Sequence, residues 1–257
     1  MYTEHNPHTH LESDSGLLSP YSPTPPSHLA IKSSLGSECI SSTVQQKFEI
    51  PWEEDTDTQT DTQSESAASP KGDTLSLPSG KLTVVLDLDE TLVHCSTVPV
   101  PDPDLVMDIV VGGQPTRGYV KYRPDLLDFL EFASDFFELA VFTASEQVYA
   151  DRVLDSFDAS RSLIPLRYYR DSCTCSNGAW VKDLRVLGRN LSRVVIADNS
   201  PAAFAFQQEN GIPIRAWTSD PNDDQLFALY NLLKRIDLAE DVRPYVAAMF
   251  LGVNSAA

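Results

Sequence analysis

The sequence predicts an α/β protein: a doubly wound parallel sheet with a small inserted β-sheet, preceded by a disordered N-terminal tail. Three observations predict it. From Leu82 onward, short apolar runs rich in Val, Ile and Leu alternate with segments of helical period. Three of those runs end directly in a polar residue. The first 80 residues show neither a period of two nor one of 3.6.

The elements follow in order. Lys81-Leu-Thr-Val-Val-Leu86 is apolar almost throughout, as befits a strand covered on both faces, and it runs into Asp87-Leu88-Asp89. Pro124 opens a helix reaching about Phe136, with Leu126, Leu127, Phe129, Leu130 and Phe132 as its apolar face. Phe137-Glu-Leu-Ala-Val-Phe142 is the second strand and ends in Thr143. Ser145 is placed to cap a helix carrying Val148, Val153, Leu154 and Phe157. Arg193-Val-Val-Ile-Ala197 is the third strand and ends in Asp198-Asn199. Ser200-Pro201 then reads as a cap and first turn, with Gly211 closing that helix. Ile212–Trp217 is a weaker strand because it contains Pro213. A last helix starts near Asp223 or Asp224 and carries Leu226, Phe227, Leu229, Leu232 and Leu233.

Composition divides the chain. Residues 1–80 hold 15 Ser, 9 Thr and 8 Pro, too little apolar surface to offset the entropy of ordering them. The two domains expected are this Ser/Thr/Pro-rich acidic tail, 1–80, and an α/β domain over 81–250. The net charge of −18 comes about equally from the two parts. An acidic surface disfavours direct nucleic-acid binding, whose affinity comes from neutralising phosphates. Cys39, Cys95, Cys173 and Cys175 form no paired Cys-x-x-Cys set, so a zinc site is not expected. No segment has the apolar length of a signal core or a membrane span. The expectation is a protein of the nucleus and/or cytoplasm, neither secreted nor membrane-spanning.

In a parallel sheet, ligands bind beyond the carboxyl ends of the strands. Asp87, Thr143 and Asp198 all fall at that edge. One aspartate after a strand is often only a turn former; three polar strand ends, one of them a doubled carboxylate, point to a site. Asp87 and Asp89, two apart in extended chain, face one way and repel unless a cation or proton intervenes. Oxygen donors select a hard ion, so the cofactor expected is Mg²⁺, with Asn199 as a neutral oxygen ligand. A carboxylate nucleophile, Asp87, beside such an ion is suited to attack phosphorus. Asp89 is then placed to protonate the leaving oxygen and later activate water. Thr143 and Lys182 offer a hydroxyl and a cation to the phosphoryl oxygens.

Several ordered segments carry a resemblance: Leu-Asp-Leu-Asp-Glu-Thr-Leu-Val-His (86–94), Arg123-Pro124, Phe-Thr-Ala-Ser (142–145), Tyr-Tyr-Arg-Asp-Ser-Cys (168–173), Val-Lys-Asp-Leu (181–184) and Asp-Asn-Ser-Pro (198–201). From about Leu82 to Val246 the chain resembles the haloacid-dehalogenase superfamily, and within it the small C-terminal-domain phosphatases. Those enzymes dephosphorylate serine in the repeat tail of RNA polymerase II and in other proteins. The resemblance implies Asp87 as nucleophile and Asp89 as acid/base. It implies Mg²⁺ on Asp87, the Asp89 carbonyl and Asn199, with Asp198 in support. It adds Arg170 near the substrate, and a small inserted sheet over about 96–119. The partner implied is a phosphorylated protein, with phosphoserine or phosphothreonine beside proline.

The polymerase-directed members line a proline-docking pocket with apolar side chains. The matching positions here are Thr97, Ile109, Val111, Gly118 and Glu146, so only Ile109 and Val111 keep the substrate-binding character. A carboxylate on that rim should repel an acidic phosphopeptide. In the tail, Tyr21-Ser-Pro-Thr-Pro-Pro-Ser27 matches the polymerase heptad at six of seven positions. Self-contact of residues 19–27 with the cleft competes there with chance in a Ser/Pro-rich string. Phe48–Asp55, an aromatic cluster before an acidic run, reads either as a docking motif or as linker. Three function classes stay open: a protein serine/threonine phosphatase, a metabolite phosphatase, and a noncatalytic phosphoprotein-binding scaffold. The short insert favours an open cleft and a macromolecular substrate, and retention of both carboxylates and Lys182 favours catalysis.

Overall fold

The computed structural model describes residues 80–250; the expected tail, including residues 19–27 and Phe48–Asp55, lies outside them. Ten strands form: β1 Thr83–Leu86, β2 Val93–Ser96, β3 Leu105–Val111, β4 Gln114–Tyr122, β5 Glu138–Phe142, β6 Leu166–Tyr168, β7 Thr174–Ser176, β8 Ala179–Val181, β9 Val194–Asp198 and β10 Gly211–Pro213. Four α-helices accompany them: α1 Leu126–Phe136, α2 Gln147–Asp158, α3 Gln225–Ile236 and α4 Arg243–Phe250.

The main sheet is parallel, with order β10-β9-β1-β5-β6. The chain starts in the middle, winds outward through β5 and β6, then returns to β9 and β10 on the other side. Such a reversal opens a crevice beside the central strand. Leu86 is level with Val141 on β5 and Ala197 on β9, so Asp87, Phe142 and Asp198 end the three strands on one line. The Asp87 amide continues the ladder by donating to the Ala197 carbonyl at 3.0 Å.

Alternation along the strands sorts the core into two layers. Val84, Leu86, Leu139, Val141 and Val195 join the buried faces of all four helices. Val85, Ala140, Phe142, Val194 and Ile196 face Leu184, Leu187 and Phe204, which sit on short 3-10 turns. The helix expected from Ser200 to Gly211 is two such turns, Pro201–Phe204 and Gln208–Asn210. Side chains explain the difference. The Asn210 amide donates to the Leu191 and Val194 carbonyls, each at 2.7 Å, which ties the chain down onto β9. Phe204 lies so close over Gly211 that an added Cβ would meet its ring at 2.1 Å.

Other expectations shift in detail. Helix α1 begins at Leu126, and its buried face is Leu126, Phe129, Leu130 and Ala133, while Leu127 and Phe132 are about half exposed. In α2, Val148 is exposed. Strand β6 and helix α4 were not anticipated, and β10 stops at Pro213, which sits at the edge of the sheet where a missing N–H is tolerated.

Where a small insert was expected, β2, β4 and β3 form an antiparallel sheet over Val93–Tyr122. Its β3–β4 hairpin turns on Gly112-Gly113, both left-handed (φ 60° and 78°), the geometry a two-residue hairpin loop demands. A second hairpin, β7–β8, turns on Asn177-Gly178 (φ 50° and 78°) and delivers Trp180 and Lys182. Asn-Gly is the strongest short hairpin signal a sequence carries.

Candidate active site

Asp87 leaves the central strand and is 6 % exposed. Its two oxygens are separately engaged. The Lys182 ammonium donates to Oδ1 at 2.5 Å, and the Thr91 hydroxyl donates to Oδ2 at 3.0 Å. Lys182 also donates to Asp198 Oδ2 at 2.6 Å, bridging the ends of β1 and β9. The Ser200 amide donates to the remaining Asp198 oxygen at 2.7 Å. Lys182 is buried, and its own amide donates to the Ala203 carbonyl at 2.7 Å, which fixes the base of the side chain.

The turn after β1 is built by three amides, Thr91, Leu92 and Val93, donating to the Leu88 carbonyl. Glu90 takes a left-handed backbone (φ 60°) to close it. The turn is held from behind by Arg123. That guanidinium is fully buried, donates to both oxygens of Asp223 at 2.6 and 2.9 Å, and donates to the Thr91 and Arg215 carbonyls at 2.9 Å each. Sequence reasoning noted Arg123 only as part of a motif; its hold on the residue that bonds Asp87 is visible only in three dimensions.

Asp89 points toward α2. The Ser145 hydroxyl donates to its Oδ2 and the Tyr149 hydroxyl to its Oδ1, both at 2.6 Å. Ser145, expected to cap α2, therefore serves the site instead, and no side-chain cap bond is made at that helix start. Tyr149 was missed. Its signal was the spacing of four from Ser145, which puts both on one face of a helix start. Thr143 is buried beside them, and its hydroxyl oxygen accepts from the Ser145 amide at 3.0 Å.

The electrostatics follow from crowding. Burial, then repulsion by Glu90 and Asp87, raises the Asp89 carboxyl to about 6, although Ser145 and Tyr149 pull the other way. Burial and then Asp87 raise Asp198 to about 7 against the pull of Lys182. Burial by itself would push the Lys182 ammonium down, but Asp198 and Asp87 outweigh it and hold it above its ordinary value. Asp87 and Asp198 thus share one buried ammonium with the Asp89 carboxyl nearby, leaving excess negative charge.

Hard oxygen donors in excess fit a divalent cation such as Mg²⁺. Among the described residues no three His, Cys, Asp or Glu side chains are grouped to chelate an ion alone. A set made of one carboxylate with amide and carbonyl oxygens is what remains. The Asn199 side chain, partly exposed at the end of β9, makes no hydrogen bond among the described residues, so its oxygen is available to such a set.

The rim mixes charge and apolar surface. Arg170, on a 3-10 turn after β6, donates from Nε to the Ala144 carbonyl at 2.6 Å and lies 5.7 Å from the Trp180 ring centroid. Its Nη1 is 3.4 Å from Glu146, whose side chain is half exposed. Thr97 is exposed. Ile109 is 9 % exposed and packs in the core against Gly118 and Cys95, while Val111 is half-buried. Ile109 therefore contributes mainly to the floor under the insert.

A family model of NLI interacting factor-like phosphatases matches residues 82–243. CTD small phosphatase-like protein 2 of Dictyostelium discoideum is 46% identical over 172 residues, which cover 67% of this chain and 30% of that protein. CTD small phosphatase-like protein 3 of Caenorhabditis elegans is 44% identical over 162 residues, 63% of this chain and 56% of that one. Carboxy-terminal domain RNA polymerase II polypeptide A small phosphatase 2 of Homo sapiens is 40% identical over 163 residues, 63% and 60% respectively. The chain therefore spans between about a third and three fifths of these relatives' lengths. Among solved structures, Fcp1, an essential RNA polymerase II CTD phosphatase, superposes with a TM-score of 0.53 at 19% identity, covering 61% of this chain and 62% of that one. That likeness shows a shared fold.

Proposed function

Because the chain belongs to the NLI interacting factor-like phosphatases, we propose that it hydrolyses phosphoserine or phosphothreonine on protein segments through an aspartyl-phosphate at Asp87. One observation carries the reading: an Asp87 carboxylate pinned by Lys182 and Thr91 stands two residues from an Asp89 carboxyl raised to about 6. A nucleophile and a proton donor with separated protonation behaviour are what stepwise phosphoryl transfer needs.

In the first step an Asp87 oxygen bonds to phosphorus as the bond from phosphorus to the seryl oxygen breaks. Asp89 gives its proton to that oxygen. In the second step Asp89 takes a proton from water, the water oxygen bonds to phosphorus, and the bond to Asp87 breaks, releasing inorganic phosphate. Lys182, fixed between Asp87 and Asp198, offers positive charge to the phosphoryl oxygens, and the buried Thr143 offers a hydroxyl. Mg²⁺, held by Asp87, the Asp89 carbonyl and Asn199, would supply neutralisation between carboxylate and phosphate when bound.

Among the described residues the insert is a small three-stranded sheet, which supports an open cleft and a protein substrate over a metabolite. The names of the relatives supply the polymerase repeat as a first candidate. The Glu146 carboxylate beside Arg170 supports instead a phosphosegment that is not itself acidic. Such a substrate supports a location in the nucleus or the cytoplasm; among the described residues no helix is long and apolar enough to cross a membrane. The test is turnover of an aryl phosphate with Mg²⁺ by wild type and Asp87→Asn. Loss on the order of 10³-fold or more is expected, and activity that survives the change refutes the nucleophile. A panel of phosphopeptides against sugar phosphates then decides the substrate class.

A further inference from the structure

Asp89 must present one oxygen to the departing seryl oxygen in a fixed direction, and its own backbone does not fix its carboxylate. Two hydroxyls do. Ser145 comes from the loop between β5 and α2, and Tyr149 comes from the first turn of α2. They differ in what holds them. Ser145 is a short side chain on a loop. Tyr149 is rigid, packs against the main core layer, and has the Cys95 thiol of β2 against its phenol oxygen.

From this geometry we infer that Tyr149 is the positioning residue for the acid/base Asp89, and that it ties the inserted sheet, through Cys95, to the proton-transfer step. The inference rests on the phosphatase reading above. A tyrosine phenol keeps its proton throughout the working pH range, so the hydroxyl stays a donor to Asp89. As a donor on Oδ1 it leaves the other carboxylate oxygen to the shorter Ser145 side chain. Incoming substrate can displace Ser145 without releasing Asp89 from its orientation. A carboxyl held by Ser145 alone would turn about its own side-chain bonds, and the proton would reach the seryl oxygen in a smaller fraction of encounters.

Positioning of an acid has a signature that general structural support lacks. A seryl alkoxide is a poor leaving group and needs the proton; 4-nitrophenolate departs without one. In full-length protein with Mg²⁺, kcat/KM reports the first phosphoryl transfer for both substrates. Tyr149→Phe keeps the ring and its packing but removes the donor. It should lower kcat/KM about 30-fold for a phosphoserine peptide and about threefold for 4-nitrophenyl phosphate, a part of the 10²–10⁴-fold that a placed acid contributes. In an Asp89→Asn background the same change should add almost nothing on the peptide, since the group it positions can no longer give a proton. Equal losses on the two substrates, or a full additional loss in the Asp89→Asn background, would show a structural role and overturn the inference. Wild-type inactivity on both substrates would overturn the phosphatase reading and this inference with it, whereas a wild type active on both with an unselective Tyr149→Phe overturns this inference alone.

Discussion

Replacing Lys182 with Met removes the ammonium that Asp87 and Asp198 share while keeping the length of the side chain. The two contacts, at 2.5 and 2.6 Å, each represent on the order of 6 kcal/mol of raw attraction at an effective dielectric of about 20. Most of that is spent on bringing three charged groups out of water, so the pair adds little to stability when intact. Breaking it is different, because Asp198 and Asp87 remain buried and face each other unpaired. A loss of about 3–5 kcal/mol is expected near pH 8, or a drop in Tm of about 6–20 °C for a domain of this size.

The pH dependence makes the argument specific. Asp198 and Asp89, raised to about 7 and about 6, bind protons in the folded state that the unfolded chain has already lost above its ordinary carboxylate value near 4. A raised carboxyl therefore makes stability fall as pH rises from about 4 to about 7. Without Lys182 the Asp198 carboxyl is raised further, so at pH 5.5 it is protonated and the repulsion is gone. The deficit of Lys182→Met, measured by urea denaturation, should shrink at pH 5.5 to less than half its value at pH 8. Adding Asp198→Asn should recover part of the loss at pH 8 and little at pH 5.5. An equal deficit at both pH values would refute the account, because lost packing does not titrate.

Three further outcomes follow from single contacts. Mg²⁺ at about ten times its Kd should raise Tm by about 3–6 °C at pH 8, with a smaller rise at pH 5.5, where protons on Asp89 and Asp198 leave less negative charge around the ion, and Asn199→Ala should weaken the effect. Arg123→Met should lose about 3–5 kcal/mol in urea denaturation, since it leaves buried Asp223 with the half-exposed Arg215 in place of a bidentate partner, and Arg123→Met/Asp223→Leu should restore most of it. Burial opposes the Asp223 charge, yet Arg123 and Arg215 hold that carboxyl below its ordinary value; its contribution is present above pH about 4 and fades on acidification, a fade that Arg123→Met should lack. Gly211→Ala should cost about 1–3 kcal/mol, measured by thermal melting, because the new methyl meets the Phe204 ring.

The parallel sheet was legible because its strands are buried on both faces and so read as uninterrupted apolar runs. Asp87, Thr143 and Asp198 were legible for the same reason: an abrupt polar residue marks where such a run leaves the core. What failed was capping chemistry. Ser145 and Ser200 each stand before a plausible helix, but one hydroxyl goes to Asp89 and the other makes no cap bond to its turn. A serine's local bond and its long-range bond look alike in sequence, and tertiary partners decide between them. The β7–β8 hairpin went unread although Asn177-Gly178 is a short local signal for it. Arg123 carried no local sign of its partner and Tyr149 only its spacing from Ser145; the groups they bond, Asp223 and Asp89, lie 100 and 60 residues away in sequence.

The rim substitutions can be connected to the proton-transfer apparatus through Gly118. A side chain there would begin with a Cβ 3.0 Å from the Cys95 sulfur and 3.1 Å from Ile109, so both neighbours would have to shift by a few tenths of an ångström. With glycine, Ile109 and Cys95 close over β4 and fill the space beneath the insert. Ile109 is thereby drawn into the core, which removes an aliphatic wall from the cleft. Cys95 is at the same time pressed toward Tyr149, the donor to Asp89. The loss of an apolar docking surface and the firm seating of the acid/base are then two results of one packing choice. On the function proposed above, a cleft built so would gain little from a proline beside the phosphoserine.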